Sequence, residues 1–174
     1  MMEVARLASE KKKKFGFNLS AFFLIDMFKP EMLELIENSD FVFGNETEAA
    51  HFAKTHEFGT ENIMEIAQRM AKMKKSNEDH PRYVIITQGK LPTVVVKFDP
   101  KAPEEMRSEE YPVVLLDQSK IVDTNGAGDS FVGGFLSEIA KGNSTEQAIK
   151  AGQYCASEVI QQSSCSFPAE KKFA

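Results

Sequence analysis

Asp129 follows three small residues, Gly126, Ala127 and Gly128, in the segment IVDTNGAGDSFVGGF at residues 121–135. This order predicts a strand that ends at Asp123, a glycine-containing turn, and a helix that begins near Gly126. At such a junction the unpaired N–H groups of Gly126, Ala127 and Gly128 point at a phosphoryl group, and the helix dipole adds to their pull. A carboxylate beside that anion hole accepts a proton from an attacking hydroxyl while the amides hold the transferring oxygens. The chemistry this suits is phosphoryl transfer to an alcohol, whose loose transition state depends on positioning and charge neutralisation. Taken alone, GAGD fits equally well a helix whose first turn carries an aspartate favoured by the dipole. The segment is neither a GxxxxGK[ST] phosphate loop nor a GxGxxG dinucleotide fingerprint.

The elements that must position this turn are legible along the chain. MEVARLASEKKKK has helix-forming composition, and KFGFNLS alternates as a short strand does. Pro30 opens a helix over PEMLELIENSD, FVFGN reads as a buried strand, and Glu46 to Thr55 as a further helix. Ile63, Ile66, Ala67, Met70 and Met73 form an apolar stripe of helical spacing, which is core. After the polar loop SNEDHPR, YVIIT and TVVVKF are strands on both sides of QGKLP, and PVVLLDQ and IVDT supply further strand-like stretches. Helices are expected from about Gly126 to Lys141 and from about Thr145 to Gln161, the second with Ala148, Gly152, Cys155, Ala156 and Val159 on one face. Strands alternating with helices predict an α/β layered sheet with parallel and antiparallel parts, in one domain over residues 1–174.

Composition narrows the function. The chain has 174 residues, 42% of them hydrophobic, enough for an ordinary core. A net charge of -5 leaves no basic field for nucleic acid or an anionic membrane surface, so neither is expected as a partner. No apolar run approaches the roughly 20 residues of a membrane span, and the first residues lack the apolar segment of a secretory signal. A cytoplasmic location is expected, with the nucleus as a second compartment. Cys155 and Cys165 lack metal-ligand spacing and are expected as reduced, partly buried thiols. His51, His56 and His80 have no paired ligand and are expected as surface or packing residues.

The full string DTNGAGDSFVGGF resembles the C-terminal signature of the ribokinase-like family of sugar and nucleoside kinases. Within that family the adenosine kinases are most similar: NLSA near the start, FGNETEA at 43–49, ITQG at 86–89, LDQ at 116–118 and CSFP at 165–168 occur in the same order. The resemblance covers nearly the whole chain and implies the C-terminal half of a three-layer α/β ribokinase-like sandwich, with its lid absent. It implies ATP-dependent phosphorylation of the adenosine 5′-hydroxyl to AMP, a step of purine salvage, with Mg²⁺ and in some family members K⁺, in a protein that is monomeric at full length.

Carried over residue by residue, the resemblance makes Asp129 the catalytic base and Gly126, Ala127 and Gly128 the anion hole. Asn125 matches a nucleotide-side contact. Asn45 and Glu48 match an NxxE element that supports Mg²⁺ and phosphate largely through water; read by themselves they are a helix cap and a solvated carboxylate. Thr87 and Gly89 match a strand end that approaches ATP, and Phe167 matches a wall of the adenine pocket. Gln153 stands where related enzymes carry a histidine against the nucleotide. Asp123 matches a position that some members use for a monovalent cation. On the acceptor side, Phe23 matches an aromatic that stacks on the nucleoside base and Gln118 a nearby polar contact. Where relatives read SAPF, Ser20 to Phe23 read SAFF, so a proline that fixes the backbone before Phe23 is replaced by Phe22.

The chain begins at about the middle of the family's usual length. The resemblance assigns to the other half several strands, the lid, the aspartate for the ribose hydroxyls, a glycine pair beside the sugar and a lid arginine. An N-terminally truncated adenosine kinase is therefore the expectation. The alternatives are a catalytically silent nucleotide-binding or interaction fragment and another sugar kinase of the same family.

Overall fold

The computed structural model describes residues 1–167 and 173. They separate into two compact units, Met1–Pro112 and Val113–Ala174. In the first unit α1 (Met2–Glu10) is followed by β1 (Gly16–Asn18), α2 (Phe22–Met27), α3 (Lys29–Glu37), β2 (Phe41–Asn45), α4 (Glu46–Thr55) and α5 (Ile63–Ala71). β3 (Arg82–Gln88), β4 (Leu91–Phe98) and β5 (Arg107–Tyr111) complete a five-stranded sheet in the order β1-β2-β3-β4-β5. β1, β2 and β3 run parallel and β3, β4 and β5 antiparallel, which is the mixed α/β sheet that the sequence predicts.

Period-two alternation sends Phe17, Val42, Val84, Ile86, Val94 and Val96 to one face of the sheet. There they meet Ala5, Ile25, Leu35, Ile36, Phe52, Ile66 and Met70, one or more from each of the five helices. Phe41, Phe43, Ile85 and Val95 on the other face are buried as well. Two residues, Gly89 and Lys90, join β3 to β4; Gly89 takes φ 56, which suits glycine at the first position of a tight hairpin turn. A register shift between Ile86 and Gln88 puts a bulge at the start of β4, where Pro92 and Thr93 stand opposite the single residue Thr87.

Three expectations change. The loop read through SNEDHPR ends one residue early, because Arg82 is the first residue of β3 and is fully buried. Its guanidinium donates to the carbonyls of Ile36, Ser39, Met70, Ala71, Met73 and Lys74, closing the C-terminal ends of α3 and α5. Burial pushes its pKa down to about 10, with Asp40 and Glu37 acting against that shift, so it stays charged at neutral pH. Beside it the buried pair Lys75–Asp40 closes at 2.7 Å, and Asp40 also accepts the Phe15 N–H at 2.9 Å.

The second change concerns the last strand. It is the charged edge segment RSEEY, antiparallel to β4, and not PVVLLDQ. Pro112 offers no N–H to continue the ladder, so the chain leaves the sheet there. Val114 and Leu115 are exposed. IVDT likewise forms no strand: the N–H groups of Val122 and Asp123 both donate to the Ile160 carbonyl, at 2.8 and 3.2 Å. Third, α2 appears where no helix is legible, because six residues are too few to display a helical period.

The second unit is built on α6 (Ala127–Ala140) and α7 (Thr145–Val159), after a short 3₁₀ turn at Gln118–Lys120. A Cβ on Gly134 would lie 2.6 Å from the Ala151 carbonyl oxygen, and one on Gly152 would lie 2.9 Å from that of Phe131. The two glycines thus let α6 and α7 cross at near backbone contact. Among the described residues no helix is long and apolar enough to cross a membrane.

Candidate functional site

Unit two holds the glycine turn. Gly126 is the N-cap of α6 and sits at φ 75, in the left-handed region. A Cβ there would approach Cys165 Sγ to 2.5 Å, so both backbone conformation and space demand glycine. Asp123 Oδ1 accepts the Asn125 N–H at 2.9 Å, folding the approach into an Asx turn, and the Cys165 thiol donates to the Asn125 carbonyl at 3.6 Å. The Ala127 N–H bonds back to Thr124 O at 3.3 Å and so closes the turn. The next amides, of Gly128 and Asp129, have no recorded acceptor among the described residues.

α4, α5 and α7 are capped by the side chains of Asn45, Asn62 and Ser144, whereas α6 has no side-chain cap. Its first turn therefore keeps N–H groups available to an anion. Gly128 and Asp129 are exposed, and a Cβ on Gly128 would meet nothing within 4 Å. A carboxylate and outward-facing amides on one exposed helical turn can hold a phosphoryl group and accept a proton beside it.

Unit one gathers Asn45, Glu48 and Thr87, three positions singled out in the sequence, at the C-terminal ends of two parallel strands. Asn45 ends β2 and caps α4, with its Oδ1 accepting the Glu48 N–H at 2.8 Å. Glu48 answers with both oxygens: Oε2 accepts the Asn45 N–H at 3.0 Å and Oε1 its Nδ2 at 2.9 Å. This is a complete capping box. Thr87 is the register partner of Asn45 and reaches the Gly44 carbonyl at 3.4 Å through Oγ1. The structure thus brings Asn45, Glu48 and Thr87 together, with Gly89 in the adjoining turn.

Among the described residues no group of three or more His, Cys, Asp or Glu could hold a metal ion. Glu48 is nearly buried and uses both oxygens in the box, so it suits a hydrated Mg²⁺ met through water and not direct ligation. The half-buried Asp123 spends Oδ1 on the Asx turn. One carboxylate so engaged does not make a cation site by itself.

The remaining positions lie on other elements, Phe23 in unit one and Gln118, Gln153 and Phe167 in unit two. Phe23 lies in the first turn of α2, exposed, and Gln118 opens the 3₁₀ turn, also exposed. Gln153 is half-buried on α7, and Phe167 is exposed near the chain end. Pro168 of the CSFP segment lies outside the described residues. Cys165 is exposed, not partly buried, and its packing on Gly126 has no signal in the sequence, which shows only an unpaired cysteine. Asp26 and His51, which join α2 to α4, have none either.

The pfkB family carbohydrate kinase profile matches residues 1–172. The chain is 41% identical over 170 residues to adenosine kinase 2 of Arabidopsis thaliana, covering 98% of this chain and 47% of that protein. It is 36% identical over 172 residues to an adenosine kinase of Schizosaccharomyces pombe, covering 99% of this chain and 48% of the relative. Among solved structures, Anopheles gambiae adenosine kinase in complex with P1,P4-di(adenosine-5) tetraphosphate superimposes with a TM-score of 0.90 at 40% identity. That match covers 99% of this chain and 49% of the other. The chain spans about half the length of the relatives it matches. With an α/β fold and near-complete coverage of its own residues, the chain belongs to the pfkB family of carbohydrate kinases.

Proposed function

We propose that the chain is the C-terminal, ATP-handling half of an adenosine kinase, and that residues 1–174 form one partial kinase domain. The exposed first turn of α6 carries this reading: the outward amides of Gly128 and Asp129 lie beside the Asp129 carboxylate. In the reaction the adenosine 5′-oxygen bonds to the γ-phosphorus of ATP while the bond from that phosphorus to the β–γ bridging oxygen breaks. Asp129 takes the hydroxyl proton, the amides hold the equatorial oxygens, and the products are AMP and ADP. Mg²⁺, when bound, neutralises charge on the phosphates. The capping box at Asn45 and Glu48 fixes the end of β2, and Phe23 stacks on the acceptor base. The ligand of the Anopheles gambiae structure, two adenosines joined through four phosphates, supports adenosine and ATP as the substrate pair.

The test is direct. A polypeptide that joins this chain to the half of the family's length it does not span is expected to make AMP from adenosine and ATP with Mg²⁺. No AMP from a folded protein would sink the reading. The half-length match favours one other reading, a silent nucleotide-binding chain; ATP binding without AMP formation in the joined polypeptide would select it.

The ATP side is accessible in the present chain. ATP with Mg²⁺ at about 100 times Kd stabilises by roughly 2.7 kcal/mol, a rise in Tm of about 5–10 °C. Gly128→Val is expected to abolish that rise. A Cβ at 128 meets nothing within 4 Å, so the variant folds and only the close approach of the phosphate is lost. An undiminished rise in Gly128→Val would place the nucleotide elsewhere.

A further inference from the structure

The surface between α2 and α4 contains a polar seam that the phosphoryl-transfer chemistry does not use. Asp26 Oδ1 on α2 meets His51 Nε2 at 2.9 Å and Thr55 Oγ1 at 3.5 Å, both on α4. The Phe22 ring packs on the His51 ring, with centroids 5.0 Å apart. Phe22 and Asp26 are four residues apart, as are His51 and Thr55, so each pair lies on one side of its helix and the two sides face each other.

At about 100° per residue, Phe23 and Ile25 flank this contact on opposite sides of α2. Ile25 is fully buried, and Phe23 is 62% exposed. Ile25, with the half-buried Leu24 beside it, anchors one side of α2 in the core; a six-residue helix has little stability of its own, so its rotation also depends on what holds the other side. The contact of Phe22 and Asp26 with His51 supplies the second anchor and sets the direction in which Phe23 projects.

We infer that His51, with Asp26 and Phe22 as its partners, is a positioning residue that fixes the rotation of α2 and so presents Phe23 to the acceptor nucleoside. The inference rests on the nucleoside role proposed above for Phe23. Phe22 gives this chain a ring contact at the position where the resembling sequences have a rigid proline. Restraint of the backbone by a ring within the chain is replaced by restraint through packing on α4.

The experiment uses His51→Ala, Asp26→Asn and His51→Gln, the last keeping a donor toward Asp26. In the present chain, amide hydrogen exchange across α2 is expected to quicken about fivefold in the first two variants, with α5 unchanged. In the joined polypeptide, KM for adenosine should rise about fivefold in both, while kcat and KM for ATP move less than twofold, and His51→Gln should recover part of the loss. Unaltered exchange in α2, or a KM for adenosine that does not move in an active enzyme, overturns the inference and leaves the kinase reading intact. Equal losses in kcat and in both KM values would also overturn it, since they mark general damage. If the unsubstituted polypeptide makes no AMP, the kinase reading itself falls, and the inference falls with it.

Discussion

Asp129→Asn, placed in the joined polypeptide, is expected to lower AMP formation by about 10²–10⁴-fold, the usual range for loss of a general base. Asparagine keeps the size of the side chain and loses only the proton acceptor. No hydrogen bond or ion pair of the Asp129 carboxylate is recorded among the described residues, and the residue is exposed, so the substitution removes no structural contact. The amides of Gly128 and Asp129 belong to the backbone and remain where they are, so ATP affinity should largely survive. Steady-state turnover measured beside an ATP titration separates the two effects. Near-normal turnover in Asp129→Asn, with the chemical step shown to be rate-limiting, would mean that another group takes the proton.

Arg82→Met should produce the largest loss of stability in the chain, about 3–5 kcal/mol, the range for removing one member of a buried, hydrogen-bonded charge network. Methionine fills much the same space but offers no donor to the carbonyls of Ile36, Ser39, Met70, Ala71, Met73 and Lys74. Those oxygens, shielded from water at the ends of α3 and α5, would then carry their desolvation cost unrelieved. The negative charge of Asp40 would be left to Lys75 alone. At this chain length the loss corresponds to a fall in Tm of about 6–20 °C, readable by circular dichroism. A fall of under about 2 °C would show that the carbonyls find other partners and that the guanidinium is dispensable.

The contrast between these two residues explains what the sequence could and could not disclose. Asp129 is legible because its partners are its neighbours: the turn, the helix start and the carboxylate lie within five consecutive residues, 125–129. The Asn45 cap is legible for the same reason, standing at a helix start, but Glu48 is not the solvated carboxylate that the sequence suggests: it is nearly buried because both of its oxygens turn back onto Asn45 to close the box. Arg82 is not legible, because its acceptors are backbone carbonyls from two separated segments, 36–39 and 70–74, and a carbonyl leaves no mark in the sequence.

The strands obey the same division. FVFGN, YVIIT and TVVVKF lie inside the sheet and are apolar for that reason, whereas RSEEY pairs on one edge through its backbone and keeps its side chains in solvent. PVVLLDQ has the composition of a strand, but Pro112 takes it out of the ladder. The seam between α2 and α4 depends on a helix too short to announce itself. The contact of Cys165 with Gly126 joins residues that only the tertiary fold of the second unit can bring together.

The crossing of α6 and α7 makes the turn at Gly126–Asp129 the tip of a lever. Gly134 is the fulcrum, eight residues from Gly126, which at helical rise is on the order of 12 Å. The bare backbone of Gly134 lies so close to the Ala151 carbonyl that a single methyl group must displace one helix from the other. Because Gly134 and Asp129 lie on the same helix, a shift at that point becomes a tilt that the helix carries to Asp129. Aim is thus fixed by two missing methyl groups, at Gly134 and Gly152, and a mutation that touches neither substrate nor carboxylate can mimic the loss of a catalytic group.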